Sequence, residues 1–347
     1  MSTAVILLNF GEPREPTPEN VIPFLERIFS NNAPLEALKT PEAVKARSRM
    51  LAERRAPGLI KDYERIGGSP LVDQAEHQAE ALQVELSTRG LDARVYLAYQ
   101  FIDPDIETVV AQARDEGAHQ IVGFPYYPLC GFSTNVAAIN DLRDIVGRVA
   151  PDLEVEALTG WHYHPSFLAV WEEQIRTYMS EEGLSFEDPG THLYFSAHGT
   201  PIKYLEQGSR YDRYVEEICA ALAQDLGAED YSLGYQNHTN RGIAWTEPGN
   251  EELIKEVQAE RLVVVPISFL REQSETLSEL DLDFREEAAE EGLETFRVPV
   301  PYDSPQLSSI VADLVTPFIL GTAPHSAELA RCRCGPGAYC TNGHREV

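Results

Sequence analysis

The residue best suited to catalysis or metal binding is His198, which ends the run Leu193-Tyr-Phe-Ser-Ala-His198. The apolar residues before it predict a short buried strand, and Gly199, Thr200 and Pro201 after it predict a turn. In open α/β sheets, the carboxyl ends of strands carry the loops that bind ligands. A histidine placed there can act as a base near neutral pH or as a metal ligand. The structural alternative is a histidine that only caps a turn.

A second segment adds carboxylates to this candidate. Residues 263–269 predict another strand, and the run from Glu275 to Asp281 predicts a helix with Glu275 and Glu279 four residues apart. Residues at this spacing share one helix face, so the two like charges oppose each other. On an exposed face such a pair is simply solvated, whereas in a cleft it can relay protons or guide a cation. A reactant between His198 and Glu275 would meet both kinds of group.

The cysteines suggest a second site. Three of them lie in a Gly- and Pro-rich tail with the pattern C-x-C-x5-C, at Cys332, Cys334 and Cys340. In a cytosolic chain, clustered cysteines favour a metal site over disulfides. A closed site needs four ligands, and spacing alone does not separate zinc from an iron–sulfur cluster. His344 could replace one cysteine in a zinc site.

Strand-like and helix-like runs alternate along the chain, which predicts an α/β protein with parallel sheets flanked by helices. The length of 347 residues predicts two domains. The pattern restarts near residue 150, so we expect one Rossmann-like α/β domain over residues 1–150 and a second over 151–320. Residues 321–347 form an irregular Cys-rich tail. No close internal sequence repeat is visible.

Charge and hydropathy exclude several classes of function. The formal net charge of -28 disfavours nucleic-acid binding and electrostatic docking to anionic membranes. The basic stretch over residues 45–55 is either a solvated helix or a surface for an anionic substrate. No secretory leader and no membrane-spanning stretch is visible. We therefore expect a soluble, cytoplasmic protein with at most peripheral membrane contact.

Several segments together resemble the ferrochelatases, the lyases that insert Fe(II) into a porphyrin in haem biosynthesis. The resemblance covers roughly residues 3 to 320, with the motifs in the family's order. The motifs are Leu7-Leu-Asn-Phe-Gly11, Ile66-Gly-Gly-Ser-Pro-Leu71, Phe124-Pro-Tyr-Tyr-Pro128, Ser196-Ala-His-Gly-Thr-Pro201, Tyr235-Gln236 with Trp245, and Pro266-Ile continuing to Glu275-Thr-Leu-Ser-Glu279-Leu-Asp281. The resemblance implies the chelatase fold for both domains.

The resemblance also implies roles for the residues singled out above. His198 matches the family's active-site histidine, Glu275 its partner acid, and Glu279 the next carboxylate along the helix. As expectations, a neutral His198 accepts a pyrrole proton or briefly holds Fe(II), and Glu275 ligates Fe(II) or passes protons outward through Glu279. A bent macrocycle would expose its nitrogen lone pairs to the metal. Which of His198 and Glu275 receives the protons stays open.

The resemblance also implies contacts to the porphyrin. We expect them from Tyr126, Trp245, Gln100 and Phe101, with core packing an equal alternative for Tyr126. Many relatives carry an Arg-Tyr pair where this chain has Gln100 and Phe101, and a histidine where it has Gln273. These departures leave the propionate contacts and a secondary proton or metal route open. They also leave open whether the porphyrin is protoporphyrin IX or coproporphyrin III.

Some ferrochelatases hold a [2Fe–2S] cluster with three C-terminal cysteines and one internal cysteine. By this likeness Cys130, which follows the Tyr-Pro motif of the first domain, joins Cys332, Cys334 and Cys340, while Cys219 is a buried helix thiol. A zinc site with the same ligands is the alternative. The cluster's expected role is structural or regulatory, because Fe(II) insertion needs no redox step.

The most direct interpretation is a ferrochelatase acting on Fe(II) and a porphyrin as a monomer or homodimer. One alternative is a cobalt or nickel chelatase acting on a related tetrapyrrole. The other is a non-catalytic haem- or iron-binding protein whose cluster senses the redox state. Catalytic turnover distinguishes the first two from the third.

Overall fold

The computed structural model describes residues 3–36, 40–228, 230–237, 242–322 and 329–342. Within these ranges, strands and helices alternate as the hydrophobic pattern predicts. The strands are β1 (Thr3–Asn9), β2 (Ala93–Tyr99), β3 (Gln120–Pro125), β4 (Glu154–Ala157), β5 (Thr191–His198), β6 (Tyr231–Gln236), β7 (Arg261–Val265), β8 (Glu294–Arg297), β9 (Ala330–Arg331) and β10 (Tyr339–Cys340).

The helices connect the strands. The α-helices are α1 (Pro18–Asn31), α2 (Pro41–Ile66), α3 (Leu71–Thr88), α4 (Ile106–Asp115), α5 (Ala137–Val149), α6 (Pro165–Glu182), α7 (Ile202–Glu206), α8 (Tyr211–Leu226), α9 (Asn250–Leu253), α10 (Arg285–Glu290) and α11 (Pro305–Ile319). Two segments with the wider turn of a π-helix, Phe132–Val136 and Glu275–Phe284, run directly into α5 and α10. A short 3₁₀ turn covers Ala33–Leu35. None of the helices that the structure describes is both long and apolar enough to cross a lipid bilayer.

The chain divides into two compact units. The first contains Met1–Trp161 and Leu307–Val347, and the second contains His162–Gln306. Most of α11 and the Cys-rich tail therefore belong to the first unit, although they follow the second in sequence.

The first unit is built on a four-stranded parallel sheet with the order β2-β1-β3-β4. The central strand β1 is buried along its whole length, because helices cover both faces of the sheet. On one face α4 and α5 pack against the sheet, and on the other α3 packs through Leu71, Val72 and Ala75. The sheet's carboxyl edge therefore lies between two helical layers.

The basic stretch over residues 45–55 lies on α2, which packs against α1. Three of its arginines form ion pairs with acidic residues of the same unit. The pairs are Arg47 with Glu36, Arg49 with Glu26 and Glu53, and Arg55 with Asp62. These pairs neutralise much of the positive charge, which favours the interpretation of a solvated helix.

The second unit repeats the same topology. Its four-stranded parallel sheet has the order β6-β5-β7-β8, so the strand that ends at His198 is central. The π-helical segment and α10 pack on one face through Leu280, Phe284 and Ala288, against Leu262 and Val264 of β7. Two parallel sheets flanked by helices confirm the expected fold class.

The tail adds a small antiparallel pair of strands, β9 and β10, to the first unit. The Thr159 N–H donates to the Tyr339 carbonyl at 2.7 Å, so β10 lies beside the segment that follows β4. The Arg143 guanidinium on α5 donates to the carbonyls of Pro336 and Gly337 at 2.8 and 2.6 Å. These hydrogen bonds, together with the packing of Tyr339 on Phe318, fix the tail.

Candidate functional site

The strand β5 delivers His198 to the carboxyl edge of the second sheet, as the sequence predicts. His198 is the last residue of β5 and lies opposite Gln236, the last residue of β6. The next residue must be glycine, because a Cβ on Gly199 would collide with the Asn237 side chain and lie 2.8 Å from the Gln236 carbonyl oxygen. The His198 N–H donates to the Ser268 hydroxyl at 3.0 Å, which ties β5 to the loop after β7.

The His198 side chain faces the Glu275 carboxylate. Its Nε2 lies 3.2 Å from Glu275 Oε1, and its Nδ1 lies 2.5 Å from the Gly199 carbonyl oxygen. About a third of the His198 side chain (34%) and a fifth of the Glu275 side chain (19%) is exposed. Since both ring nitrogens face acceptors, the geometry suits an imidazolium that donates from each.

The charges of this pair agree with its geometry. Burial by itself would lower the pKa of His198, but the Glu275 charge and hydrogen bond outweigh it and raise this pKa to about 9. The Gly199 carbonyl and the more distant Glu279 charge act in the same direction. The resting pair therefore holds a proton at neutral pH.

The first prediction concerns this proton. Glu275→Gln removes the negative charge and leaves the burial, so the pKa of His198 should fall from about 9 to its ordinary value of 6.5 or below. The raised pKa means that the protonated pair stabilises the fold below pH 6.5, and that this stabilisation is lost as pH rises through 9. The measurement is an NMR titration of the histidine ring signals.

Glu286→Gln on α10 is the matched control, because Glu286 is an exposed glutamate. This variant should leave the His198 titration unchanged. An unaltered His198 pKa in Glu275→Gln would contradict the ion pair.

A glutamine links the backbone of Glu275 to the carboxylate of Glu279. The Gln236 Nε2 donates to the Glu275 backbone carbonyl at 2.9 Å and to Glu279 Oε2 at 3.0 Å. Through these two hydrogen bonds, the Gln236 amide at the end of β6 fixes the first turn of the π-helix and orients the Glu279 carboxylate toward the amide. Neither Gln236 nor Ser268 had a predicted role. Gln236 ends β6 and Ser268 lies in the loop after β7, and this position at the carboxyl edge of the sheet is the signal that would have identified them.

The Glu275 carboxylate is held on its second oxygen as well. The Gln273 Nε2 donates to Glu275 Oε2 at 2.5 Å, so both oxygens of this carboxylate have a partner. The departure from histidine at position 273 thus places a neutral donor beside Glu275.

A buried ion triad anchors the same helix to the sheet. Arg297, at the end of β8, donates to both Asp281 oxygens at 2.7 and 2.6 Å and to Glu272 Oε1 at 2.5 Å. Its side chain is only 10% exposed, so the charges are paired in a largely desolvated environment. The triad fixes Asp281 and, through the helix backbone, limits the movement of Glu275 and Glu279.

Three of the residues expected to bind porphyrin lie near the carboxyl edge of the first sheet. The Gln100 Oε1 accepts a hydrogen bond from the Tyr127 hydroxyl at 2.9 Å, directly after β2. Phe101 is buried with its ring 4.6 Å from that of Phe10, and Tyr126 is buried against Phe124 and Trp161. Core packing thus involves the rings of Phe101 and Tyr126.

The fourth of these residues, Trp245, belongs to the second unit. It forms an isolated antiparallel bridge with Pro201, three residues after His198. The neighbouring Thr246 hydroxyl accepts from the Thr200 N–H at 3.1 Å. The segment that carries Trp245 is therefore tied to the turn after β5.

The tail cysteines meet Cys130 within the first unit. The sulfur atoms of Cys130, Cys332 and Cys334 all lie within 4.8 Å of one another, and all three residues are buried. Cys340 is also buried, and its thiol contacts the Cys332 sulfur. Cys219 is buried on α8 in the second unit.

The pKa shifts of these thiols indicate whether the site can hold a metal. Hydrogen bonds with Cys332 and Cys334, and then burial, raise the pKa of Cys130. The pKa of Cys340 is raised in the same way by Cys332, and the pKa of Cys332 is lowered because its neighbours donate to its sulfur, Cys130 first. Several thiolates cannot coexist here without a cation, so this donor set fits a thiophilic metal centre. His344, the alternative zinc ligand, lies outside the described residues.

Comparisons with known proteins agree with this arrangement. The ferrochelatase family model matches residues 2–318. A ferrochelatase from Synechococcus sp. (strain JA-3-3Ab) is 34% identical over 333 residues, which are 93% of this chain and 95% of the relative. A ferrochelatase from Aquifex aeolicus (strain VF5) is 33% identical over 322 residues, 91% of this chain and 99% of the relative.

Solved structures support the fold. SirB from Bacillus subtilis with Fe3+ superposes with a TM-score of 0.55 at 11% identity, over 91% of this chain and 95% of that chain. The sirohydrochlorin chelatase SirB from Bacillus subtilis subspecies spizizenii, in complex with cobalt, superposes with a TM-score of 0.50 at 11% identity. It covers 94% of this chain and 96% of that chain. At this identity the likeness concerns the chelatase fold alone.

Proposed function

Because the chain belongs to the ferrochelatase family and inserts Fe(II) into a porphyrin in haem biosynthesis, we propose that His198 and Glu275 handle the pyrrole protons and the incoming Fe(II). The observation that carries this proposal is the 3.2 Å separation of His198 Nε2 and Glu275 Oε1 at the carboxyl edge of the sheet. Glu279 then passes protons or the cation along the helix. Mixed nitrogen and oxygen ligands suit Fe(II), which must be released as readily as it is bound.

The order of events follows from the proton that the pair already holds. Because the Glu275 charge raises the pKa of His198 to about 9, the proposed order starts from a protonated His198, with Glu275 as the first group to change its charge. Glu275 must first lose its negative charge, either to a pyrrole proton or to Fe(II). Either event removes the charge that stabilises the imidazolium, and His198 then releases its proton. The neutral imidazole that the sequence suggests thus arises during the reaction.

Glu279 suits the role of a relay because of its hydrogen bond. The Gln236 amide donates both to the Glu279 carboxylate and to the Glu275 backbone carbonyl, so one donor orients the helix and Glu279 together. A carboxylate held in this way can accept a proton from the pair without a change in the helix. The porphyrin contacts of Tyr126, Trp245, Gln100 and Phe101 stay predictions.

For the cysteine site, we propose that Cys130, Cys332, Cys334 and Cys340 hold a [2Fe–2S] cluster. The convergence of buried thiols from the first unit and its tail supports this ligand set. When bound, the cluster supplies a one-electron redox centre and a covalent cross-link of the tail. Zinc with the same ligands is the alternative. The proposed role is structural or regulatory.

A steady-state assay tests the proposed function and constitutes the second prediction. Porphyrin fluorescence should be lost with Fe(II) over many turnovers, because a metalloporphyrin forms and leaves. Protoporphyrin IX and coproporphyrin III, assayed in parallel, identify the preferred substrate. Binding at one porphyrin per chain without turnover would instead indicate a carrier. Faster insertion of cobalt or nickel into a related tetrapyrrole would indicate the alternative chelatase.

Two further expectations stay predictions. The first is the cytoplasmic location, which cell fractionation measures. The oligomeric state, monomer or homodimer, requires a mass measurement in solution. Sedimentation of the metal-loaded protein distinguishes these two states.

A further inference from the structure

Hydrogen bonds also reach the cysteine site from groups that are not cysteines. The Thr159 hydroxyl donates to Cys130 Sγ at 3.1 Å, and the Gly335 backbone N–H donates to Cys332 Sγ at 3.2 Å. Donors outside the ligand shell withdraw charge from a thiolate and so tune the potential of the metal that it holds. Of the two, only Thr159 acts through a side chain.

The position of Thr159 is determined by the backbone on both sides of it. The residue is 1% exposed, and its N–H donates to the Tyr339 carbonyl at 2.7 Å. The next residue, Gly160, has φ +52 and approaches so closely that a Cβ there would lie 3.1 Å from the Cys130 Cβ. The Thr341 N–H and hydroxyl both donate to the Gly160 carbonyl, at 3.0 and 2.9 Å. These contacts hold the Thr159 hydroxyl against the Cys130 sulfur.

We propose that Thr159 is a positioning residue that sets the redox poise of the metal centre ligated by Cys130. This inference rests on the proposed iron–sulfur cluster. When a low-potential donor such as dithionite gives one electron to the cluster, one Fe(III) becomes Fe(II) and the thiolates become more negative. A hydroxyl donor stabilises the more negative sulfur more strongly, so the Thr159 hydrogen bond favours the reduced cluster.

The third prediction follows from this difference. Thr159→Val keeps the shape of the side chain and removes the donor, so the midpoint potential should fall. We expect a change of about tenfold in the ratio of reduced to oxidised cluster at a given potential, which is about 59 mV for a one-electron couple. The measurement is a dye-mediated spectroelectrochemical titration of the cluster-loaded protein. Thr159→Ser restores the donor and should restore the potential.

Thr316→Val is the matched control, because Thr316 is a half-buried threonine of the same unit whose hydroxyl donates to the Ala312 carbonyl on α11. Its potential should equal that of the unmodified protein. Equal potentials in Thr159→Val and the unmodified protein would overturn the inference. Thr159→Ala replaces the valine variant if that variant does not assemble a cluster. Loss of the cluster from both would assign Thr159 a structural role and would also overturn it.

Iron and acid-labile sulfide, counted in the unmodified protein first, separate this test from the proposed function. Unmodified protein that lacks iron and sulfide after anaerobic reconstitution removes the cluster assignment, and the inference with it. Unmodified protein that contains both, but has a potential insensitive to Thr159, leaves the cluster assignment standing and removes only the inference.

Discussion

His198→Ala is expected to lower kcat for Fe(II) insertion by about 10²–10⁴-fold, the range that a positioned acid–base group contributes. The variant loses the imidazole that faces Glu275 at 3.2 Å and leaves this carboxylate without its proton-sharing partner. The porphyrin Kd should change little, because in the proposed site the imidazole meets the reacting centre rather than the rim of the macrocycle. Stopped-flow and steady-state fluorescence separate the chemical step from binding.

His192→Ala is the matched control for this variant. His192 lies on the same strand and is partly buried, with its Nε2 3.0 Å from the Ser232 hydroxyl. It is placed near the start of β5, whereas the proposed site is at its end. The control should retain nearly full activity. Comparable activity in His198→Ala and the control would refute the role of the imidazole.

The double variant His198→Ala/Glu275→Gln sharpens this test. If the two side chains act as one proton-sharing pair, removal of the second should cost little once the first is gone. Independent roles predict that the two losses multiply. The comparison distinguishes a shared proton from two separate functions for the metal and the protons.

The fifth prediction, the second with a large expected effect, concerns the metal content of Cys130→Ser. The substitution should reduce bound metal to less than about a tenth of its original level, because loss of a ligand costs more than the roughly 10–100-fold caused by loss of an outer-shell partner. Absorbance beyond the aromatic bands should disappear with iron and sulfide. The unfolding midpoint should also fall, because metal binding stabilises only the folded site.

Cys219→Ser is the control for this variant, because Cys219 is an equally buried thiol on α8. It should keep the full metal content. Iron and sulfide retained in Cys130→Ser would exclude this cysteine from the ligand set. If the unmodified protein contains one zinc per chain and neither iron nor sulfide, the site is the alternative zinc site and not a cluster.

Local patterns in the sequence predicted much of the fold. The apolar runs of β1, β5 and β7 are long enough to identify buried parallel strands, and the helical runs between them identify crossover connections. Other elements were not predicted. The strand β8 has only four residues, and the helix α5 begins at a π-helical turn, although its buried Ile139, Leu142 and Val146 recur at helical spacing.

The sequence pattern predicted two α/β domains but not the order of the strands within their sheets. Both sheets place their first strand second in order, β2-β1-β3-β4 and β6-β5-β7-β8. This order depends on the handedness and packing of the crossover helices, which many different sequences satisfy. Side-chain identity is therefore free to diverge while the connectivity is kept.

The sequence by itself determined which residues are suited to catalysis or metal binding. These are a histidine at the end of a strand, cysteines clustered in the tail, and carboxylates spaced along a helix. The tertiary structure decided how they act. It placed Nε2 of His198 against Glu275 so that the pair holds a proton, and it positioned Glu279 through an amide at the end of β6. It also brought Cys130 to a tail some two hundred residues away, within 4.8 Å of two tail sulfurs. Charge, burial and hydrogen bonding at these sites arise from contacts between distant segments, and local spacing contains no information about such contacts.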